Sequence, residues 1–219
     1  MTDFALARRN MVEGQLRPNR VTNTALLDVV GRLPRERFLP EPLRSIAYAD
    51  EDVRLGNGRV LMEPMVLARL VQALQPSRDH KALVAAAGRG YGAALLAGLV
   101  REVVAVESDA GLARAAEDAW RALSLANVRL VAGNPEAGAA SAGPFDAILI
   151  EGGVRQIPQA LLDQLAEGGR LVTVLAGAPG TLGVATLMVK EGGVTSSRPL
   201  FDAGTPPLPG FAPAPRFTF

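Results

Sequence analysis

Ala82-Leu83-Val84-Ala85-Ala86-Ala87-Gly88-Arg89-Gly90-Tyr91-Gly92 passes from six small or branched apolar residues into a cluster of three glycines. That order reads as a buried strand, a tight turn and the start of a helix, here Ala93 to Leu99. Glycine lets the backbone of such a turn come close to a ligand and face it with helix N-terminal amides. The next apolar run, Val103-Val104-Ala105-Val106, ends on Glu107, nineteen positions after Gly88. In doubly wound folds an acidic residue at that place accepts hydrogen bonds from ribose hydroxyls. The bland alternative is a tight turn followed by a solvated glutamate. A dinucleotide site wants G-x-G-x-x-G, whereas this turn has G-x-G-x-G and the chain has no Tyr-x-x-x-Lys pair. Both facts weigh against a nicotinamide-dependent oxidoreductase.

Downstream the alternation continues. A helix over Ala110 to Leu123 precedes strands at Val128 to Val131 and Phe145 to Ile150. A helix from Ile157 to Leu165, ended by Gly168-Gly169, leads into a fifth strand, Arg170 to Leu175. Short apolar runs separated by helices imply strands covered on both faces, hence a mostly parallel sheet. Val184 to Val189 and the last residues offer antiparallel edge strands, and the tail from Pro199 to Pro215 is expected to pack down through Phe201, Leu208, Phe211, Phe217 and Phe219. Upstream, residues 4 to about 50 read as helical pieces cut by Pro18, Pro34, Pro40 and Pro42. Gly56-Asn57-Gly58 marks a turn, and Met65 to Leu74 a helix with Pro64 in its first turn. We therefore expect residues 1-80 to form a helical subdomain with a substrate loop, and residues 81-219 a cofactor-binding α/β core with C-terminal edge strands.

Bulk properties remove several function classes. The 219 residues suit one α/β domain, and 23 basic against 22 acidic residues leave no footprint for nucleic acid or an anionic membrane. With no cysteine there is neither disulfide nor thiolate metal site. The N-terminus shows no signal-peptide pattern, and the longest apolar stretch, around Ala93 to Val100, is too short for a bilayer, so a cytoplasmic location is expected. His80 lies in a polar turn and reads as a surface residue; Tyr48 and Trp120 read as packing residues.

The N-terminal blocks Met11-Val12-Glu13-Gly14-Gln15-Leu16-Arg17, Leu33-Pro34-Arg35-Glu36-Arg37-Phe38-Leu39-Pro40-Glu41 and Ala47-Tyr48-Ala49-Asp50 are similar to those that open protein-L-isoaspartate O-methyltransferases. Gly58 through Pro64, Gly88-Arg89-Gly90-Tyr91 and Phe145 to Leu175 continue the resemblance, which covers roughly residues 10 to 175 in order. It implies a Rossmann-like class I methyltransferase fold with a seven-stranded type of sheet, helices on both faces and an N-terminal helical subdomain. It also implies S-adenosylmethionine as cofactor, no metal, and isoaspartyl residues of damaged proteins or peptides as substrates. Carried over by position, Ala86, Gly88, Gly90, Tyr91, Glu107, Asn134 and Glu151 would line the cofactor, and Met62 and Glu63 occupy the active-site loop.

The departures from the family pattern are specific. Val84 and Ala86 stand where the family has an acidic residue and a glycine, and Asn134 replaces an aspartate. Met62 and Glu63 replace a serine and a glutamine, and a thioether cannot donate the hydrogen bond a hydroxyl gives to a carboxylate. The nucleophile the resemblance implies, a carboxylate, is already ionised near neutral pH, so no strong base is required. Alignment of the reactants would supply most of the catalysis. The competing expectation, motivated by Val84, Ala86 and Met62, is a non-catalytic binding module on the same scaffold.

Overall fold

The computed structural model describes residues 3–178 and 180–211. Helix α1, Phe4–Met11, runs into a π-helical turn at Val12–Leu16; α2 follows at Thr24–Arg32. Each helix starts on a side-chain cap, Asp3 accepting from the Leu6 N–H and Asn23 from the Leu26 N–H, which satisfies otherwise orphaned amides. The prolines then limit the chain to short 3-10 turns at Arg35–Phe38 and Glu41–Ile46. A hairpin, β1 (Val53–Gly56) and β2 (Arg59–Leu61), turns through Gly56-Asn57-Gly58, all three at positive φ. Helix α3, Pro64–Ala73, completes the first part.

Next come β3 (Lys81–Ala85), α4 (Tyr91–Ala97), β4 (Glu102–Glu107), α5 (Ala110–Ala122), β5 (Val128–Ala132), β6 (Phe145–Val154), α6 (Gln159–Asp163), β7 (Leu165–Leu175), β8 (Gly183–Glu191) and β9 (Val194–Ala203). The seven strands from β3 onward form one sheet in the order β5-β4-β3-β6-β7-β8-β9. Pairings from β5 to β7 are parallel, and β8 and β9 add on antiparallel. The sheet starts in its middle, grows outward to β5, then returns to β6 beside β3. Right-handed crossovers consequently place α4 and α5 on one face and α6 on the other. The two faces read out the strand alternation. Val84, Val103, Ala105 and Leu149 join the core under α2 to α5, whereas Leu83, Val104, Val106, Ile148 and Ile150 pack with Leu161 of α6.

One expected helix is shorter than its sequence suggests. The helix expected over 157–165 is only Gln159–Asp163, because β7 already begins at Leu165; residues 166–169 bulge out between the pairs Phe145↔Leu165 and Ala147↔Arg170. The second face is therefore thinly covered by helix, and Leu208 and Phe211 of the tail fill it. Phe217 and Phe219 lie outside the described residues. Among the described residues no helix is long and apolar enough to cross a membrane.

Because the chain reverses its direction of growth between β3 and β6, a crevice opens at the C-terminal ends of these strands, the place where open α/β sheets bind ligands. The glycine turn, Glu107 and Glu151 all sit at that edge.

Candidate active site

The turn after β3 leaves the sheet in a left-handed conformation: Ala86 has φ 59°, and Gly88 and Gly90 have φ 58° and 88°. For a residue with a Cβ this costs about 1–2 kcal/mol, so Ala86 carries strain that a glycine lacks. The Ala87 N–H holds the turn against β4 by donating to the Val106 carbonyl at 3.1 Å. Two of the glycines make room for the protein's own side chains. A Cβ on Gly90 would lie 2.6 Å from the Trp120 indole, whose Nε1 donates to the Gly90 carbonyl at 2.9 Å. A Cβ on Gly92 would lie 2.6 Å from Glu151 Oε2. Arg89 points away: its Nε donates to the Phe38 carbonyl at 2.9 Å, and its head lines a cleft of about 630 Å³ with Arg37, Arg44 and Asp118.

Glu107 is buried and heavily solvated by protein donors. Its Oε1 accepts from the Ser108 and Asp109 amides, both at 2.9 Å, and its Oε2 from the Gly88 amide at 2.7 Å. Arg59, the first residue of β2, adds a bidentate pair, Nη1 to Oε1 at 2.9 Å and Nη2 to Oε2 at 2.7 Å. Arg59 Nη2 also reaches the Ala86 carbonyl at 2.8 Å. A carboxylate offers about four lone-pair sites, and these five donors occupy them. A ribose diol therefore has no acceptor on Glu107 while Arg59 is in place, and the carboxylate fits the adenosyl cofactor that the resemblance implies only with the guanidinium moved aside. Asn134 sits nearby in the chain path, since the Gly133 amide donates to the Glu107 carbonyl, but its exposed side chain accepts the Glu136 amide in a local turn.

At the end of β6, Glu151 is buried beside the turn. Its Oε1 accepts the Gly92 amide at 3.2 Å, while Oε2 has no partner. Desolvation pushes its carboxyl up to about 8, against opposing pulls from the Gly92 amide, Arg59 and Arg35. Arg35 is fully buried, with Nε on the Ala47 carbonyl and Nη2 on the Met62 carbonyl, both at 2.6 Å, and Nη1 unpartnered. Its guanidinium stacks 4.8 Å from the centroid of Tyr91, which in turn meets Phe38 edge-on at 5.3 Å. Tyr91 thus serves the packing between turn and N-terminal segment. Burial pulls the Arg35 guanidinium below its ordinary value.

In the loop before α3, Met62 is wholly buried in the core, its carbonyl fixed by Arg35. A side chain so enclosed has no surface to offer a substrate as the chain stands. Glu63, the residue before α3, is half-buried; its amide donates to Asp52 Oδ1 at 2.6 Å, and burial, aided by Asp50 and Asp52, pushes its carboxyl up to about 7. The tail closes over the same edge: the Leu208 amide donates to the Gly153 carbonyl at 2.7 Å, Leu208 covers Gly152, and Pro209 covers Gly58. Arg59 and Arg35 were not among the residues singled out from sequence, whereas the strap is the tail expected to pack down through Leu208. Arg59 stands next to Gly58 in the matched loop, but nothing in the linear order signals a partner forty-eight residues away.

A family model described as protein-L-isoaspartate(D-aspartate) O-methyltransferase matches residues 7–196. A protein-L-isoaspartate O-methyltransferase of Methylorubrum populi is 43% identical over 180 residues, 82% of this chain and 83% of that one. Another, from Koribacter versatilis, is 34% identical over 217 residues, 98% of this chain and 97% of that one. Among solved structures, a protein-L-isoaspartate O-methyltransferase superposes with TM-score 0.80 at 22% identity, covering 93% of this chain and 66% of that one. A second, a putative member from Plasmodium falciparum in complex with S-adenosyl-L-homocysteine, gives TM-score 0.74 at 20% identity over 92% of this chain and 97% of that one. The last two likenesses establish the fold.

Two outcomes follow from the geometry. Ala86→Gly releases the left-handed strain and is expected to raise the unfolding free energy by about 1 kcal/mol in urea titration; an unchanged or lower value contradicts the assigned strain. The raised carboxyl of Glu151 means that the folded chain keeps a proton which the unfolded chain releases, between the ordinary 4.5 and about 8. Its contribution to stability is therefore lost as pH rises through that window. Glu151→Gln is expected to melt progressively higher than wild type between pH 5 and about pH 8, with the gap levelling off above that, and a gap independent of pH contradicts this.

Proposed function

The chain belongs to the protein-L-isoaspartate(D-aspartate) O-methyltransferase family, and on that premise we propose that it transfers a methyl group from S-adenosylmethionine to the free carboxylate of L-isoaspartyl residues in proteins and peptides. The observation that carries this reading is the family match over residues 7–196, which takes in both the N-terminal blocks and the nucleotide-binding half of the sheet. When bound, S-adenosylmethionine supplies an electrophilic methyl group. The accepting carboxylate is ionised at neutral pH, so the chain needs no strong base, and the largely exposed turn that carries His80 has no part to play. What the protein has to provide is alignment in a dry pocket, and the strap over Gly152 and the loop before α3 are the segments placed to exclude water.

Glu63 carries a distinct role in this reading. A glutamate at the loop would repel a carboxylate substrate if ionised, but with its carboxyl raised to about 7 it is protonated in a large fraction of molecules at neutral pH. A protonated carboxyl donates a hydrogen bond, which restores to the substrate the donor that Met62 cannot give. A second reading, a scaffold kept only for binding, draws on the occupied Glu107 carboxylate.

The direct test is incubation with methyl-labelled cofactor and an isoaspartyl peptide, with the aspartyl peptide as control. A base-labile methyl ester on the isoaspartyl peptide alone is the expected result, and none with cofactor demonstrably bound rejects the activity. In the same assay kcat/KM is expected to fall as pH rises through about 7, where Glu63 loses its proton. Glu63→Gln should remove that fall, and a fall of equal size in the variant would contradict the role given to Glu63.

A further inference from the structure

Arg59 presents to Glu107 two parallel N–H donors, at 2.9 and 2.7 Å, in the pattern that a vicinal diol would present with two O–H groups. We propose that Arg59 is an internal competitor for the ribose position: it occupies the carboxylate that would otherwise hold the diol of an adenosyl ligand, and it must leave before such a ligand binds. The inference rests on the methyl-donor reading of the crevice and adds to it a gate belonging to this chain.

Three features make the gate workable. First, Glu107 does not depend on Arg59 for its burial. The amides of Gly88, Ser108 and Asp109 remain when the guanidinium goes, and a carboxylate receiving that many backbone donors is well held. Second, Arg59 sits on a two-stranded ribbon that is not part of the seven-stranded sheet. Val53 and Leu61 anchor the ribbon in the core, while neither of its strands pairs with the central sheet, so its turn end can shift without breaking a ladder of that sheet. Its turn, Gly56-Asn57-Gly58, lies wholly at positive φ, and Arg59 is the first residue paired after that turn, opposite Gly56. Third, Arg59 also occupies the Ala86 carbonyl at 2.8 Å, so its guanidinium fills the entrance between the first turn of the crevice and the end of β4. Departure exposes Glu107 and this carbonyl together.

The gate predicts weak binding in the wild-type chain and strong binding without the competitor. Titration calorimetry with S-adenosylhomocysteine compares wild type, Arg59→Ala and Arg59→Met. Both variants are expected to bind at least about tenfold tighter, corresponding to roughly 1.4 kcal/mol, and Glu107→Ala in the Arg59→Ala background should abolish the gain. Arg54→Ala, exposed on the same hairpin, should leave affinity at the wild-type value. If either replacement fails to fold, Arg59→Lys takes its place; it keeps the charge but loses the bidentate fork and is expected to bind tighter than wild type. Affinity equal to or weaker than wild type in the folded variants overturns the proposal, as does an absence of binding in all of them. Tighter binding without methyl-ester formation on an isoaspartyl peptide would sink the proposed reaction and leave the gate standing.

Discussion

The carboxylate of Glu107 gathers two remote parts of the chain and its own C-terminal neighbours around one buried charge. Through its hydrogen bonds it fixes the glycine turn at Gly88, the start of α5 at Ser108 and Asp109, and the β1–β2 hairpin through Arg59. Burying a charge is tolerable only when its hydrogen-bonding capacity is met, and here it is met entirely from within. The shape of the crevice follows from that constraint. Removing the arginine changes what the carboxylate can bind, whereas removing the carboxylate would strand a guanidinium and loosen the turn and the hairpin together.

The same theme of self-satisfaction runs along the rim. Trp120 reaches from α5 to the Gly90 carbonyl, Glu151 accepts the Gly92 amide, and Leu208 lies over Gly152. Glycines that in isolation suggest close approach of a ligand are used here to admit the protein's own side chains. Val84 is fully buried in the sheet where the family carries an acid, and Glu151 brings a carboxylate to the neighbouring strand end, one register step beyond the Ala85–Ile150 pair.

Much of the sheet was legible because each strand is a short apolar run bounded by a turn residue, and the βαβ order dictates parallel pairing. Glu107 ending β4 and the buried Trp120 follow from the same periodicity. The short α6 was misjudged because Leu165 belongs to a strand that pairs with Phe145 before bulging at Gly168-Gly169; a local window cannot see that pairing. The site was less legible for a related reason. Met62 was located by its place in the loop, yet its burial and the Arg35 contact to its carbonyl are tertiary facts. Arg59 reads in the sequence as one more scattered arginine, and only the fold brings it to Glu107.

The most direct measurement is a crystal structure of the wild-type protein grown with saturating S-adenosylhomocysteine. The account predicts the ribose diol on the Glu107 carboxylate with the Arg59 guanidinium displaced from both of its oxygens. An ordered adenosyl group in the crevice beside an intact Arg59–Glu107 pair would contradict it.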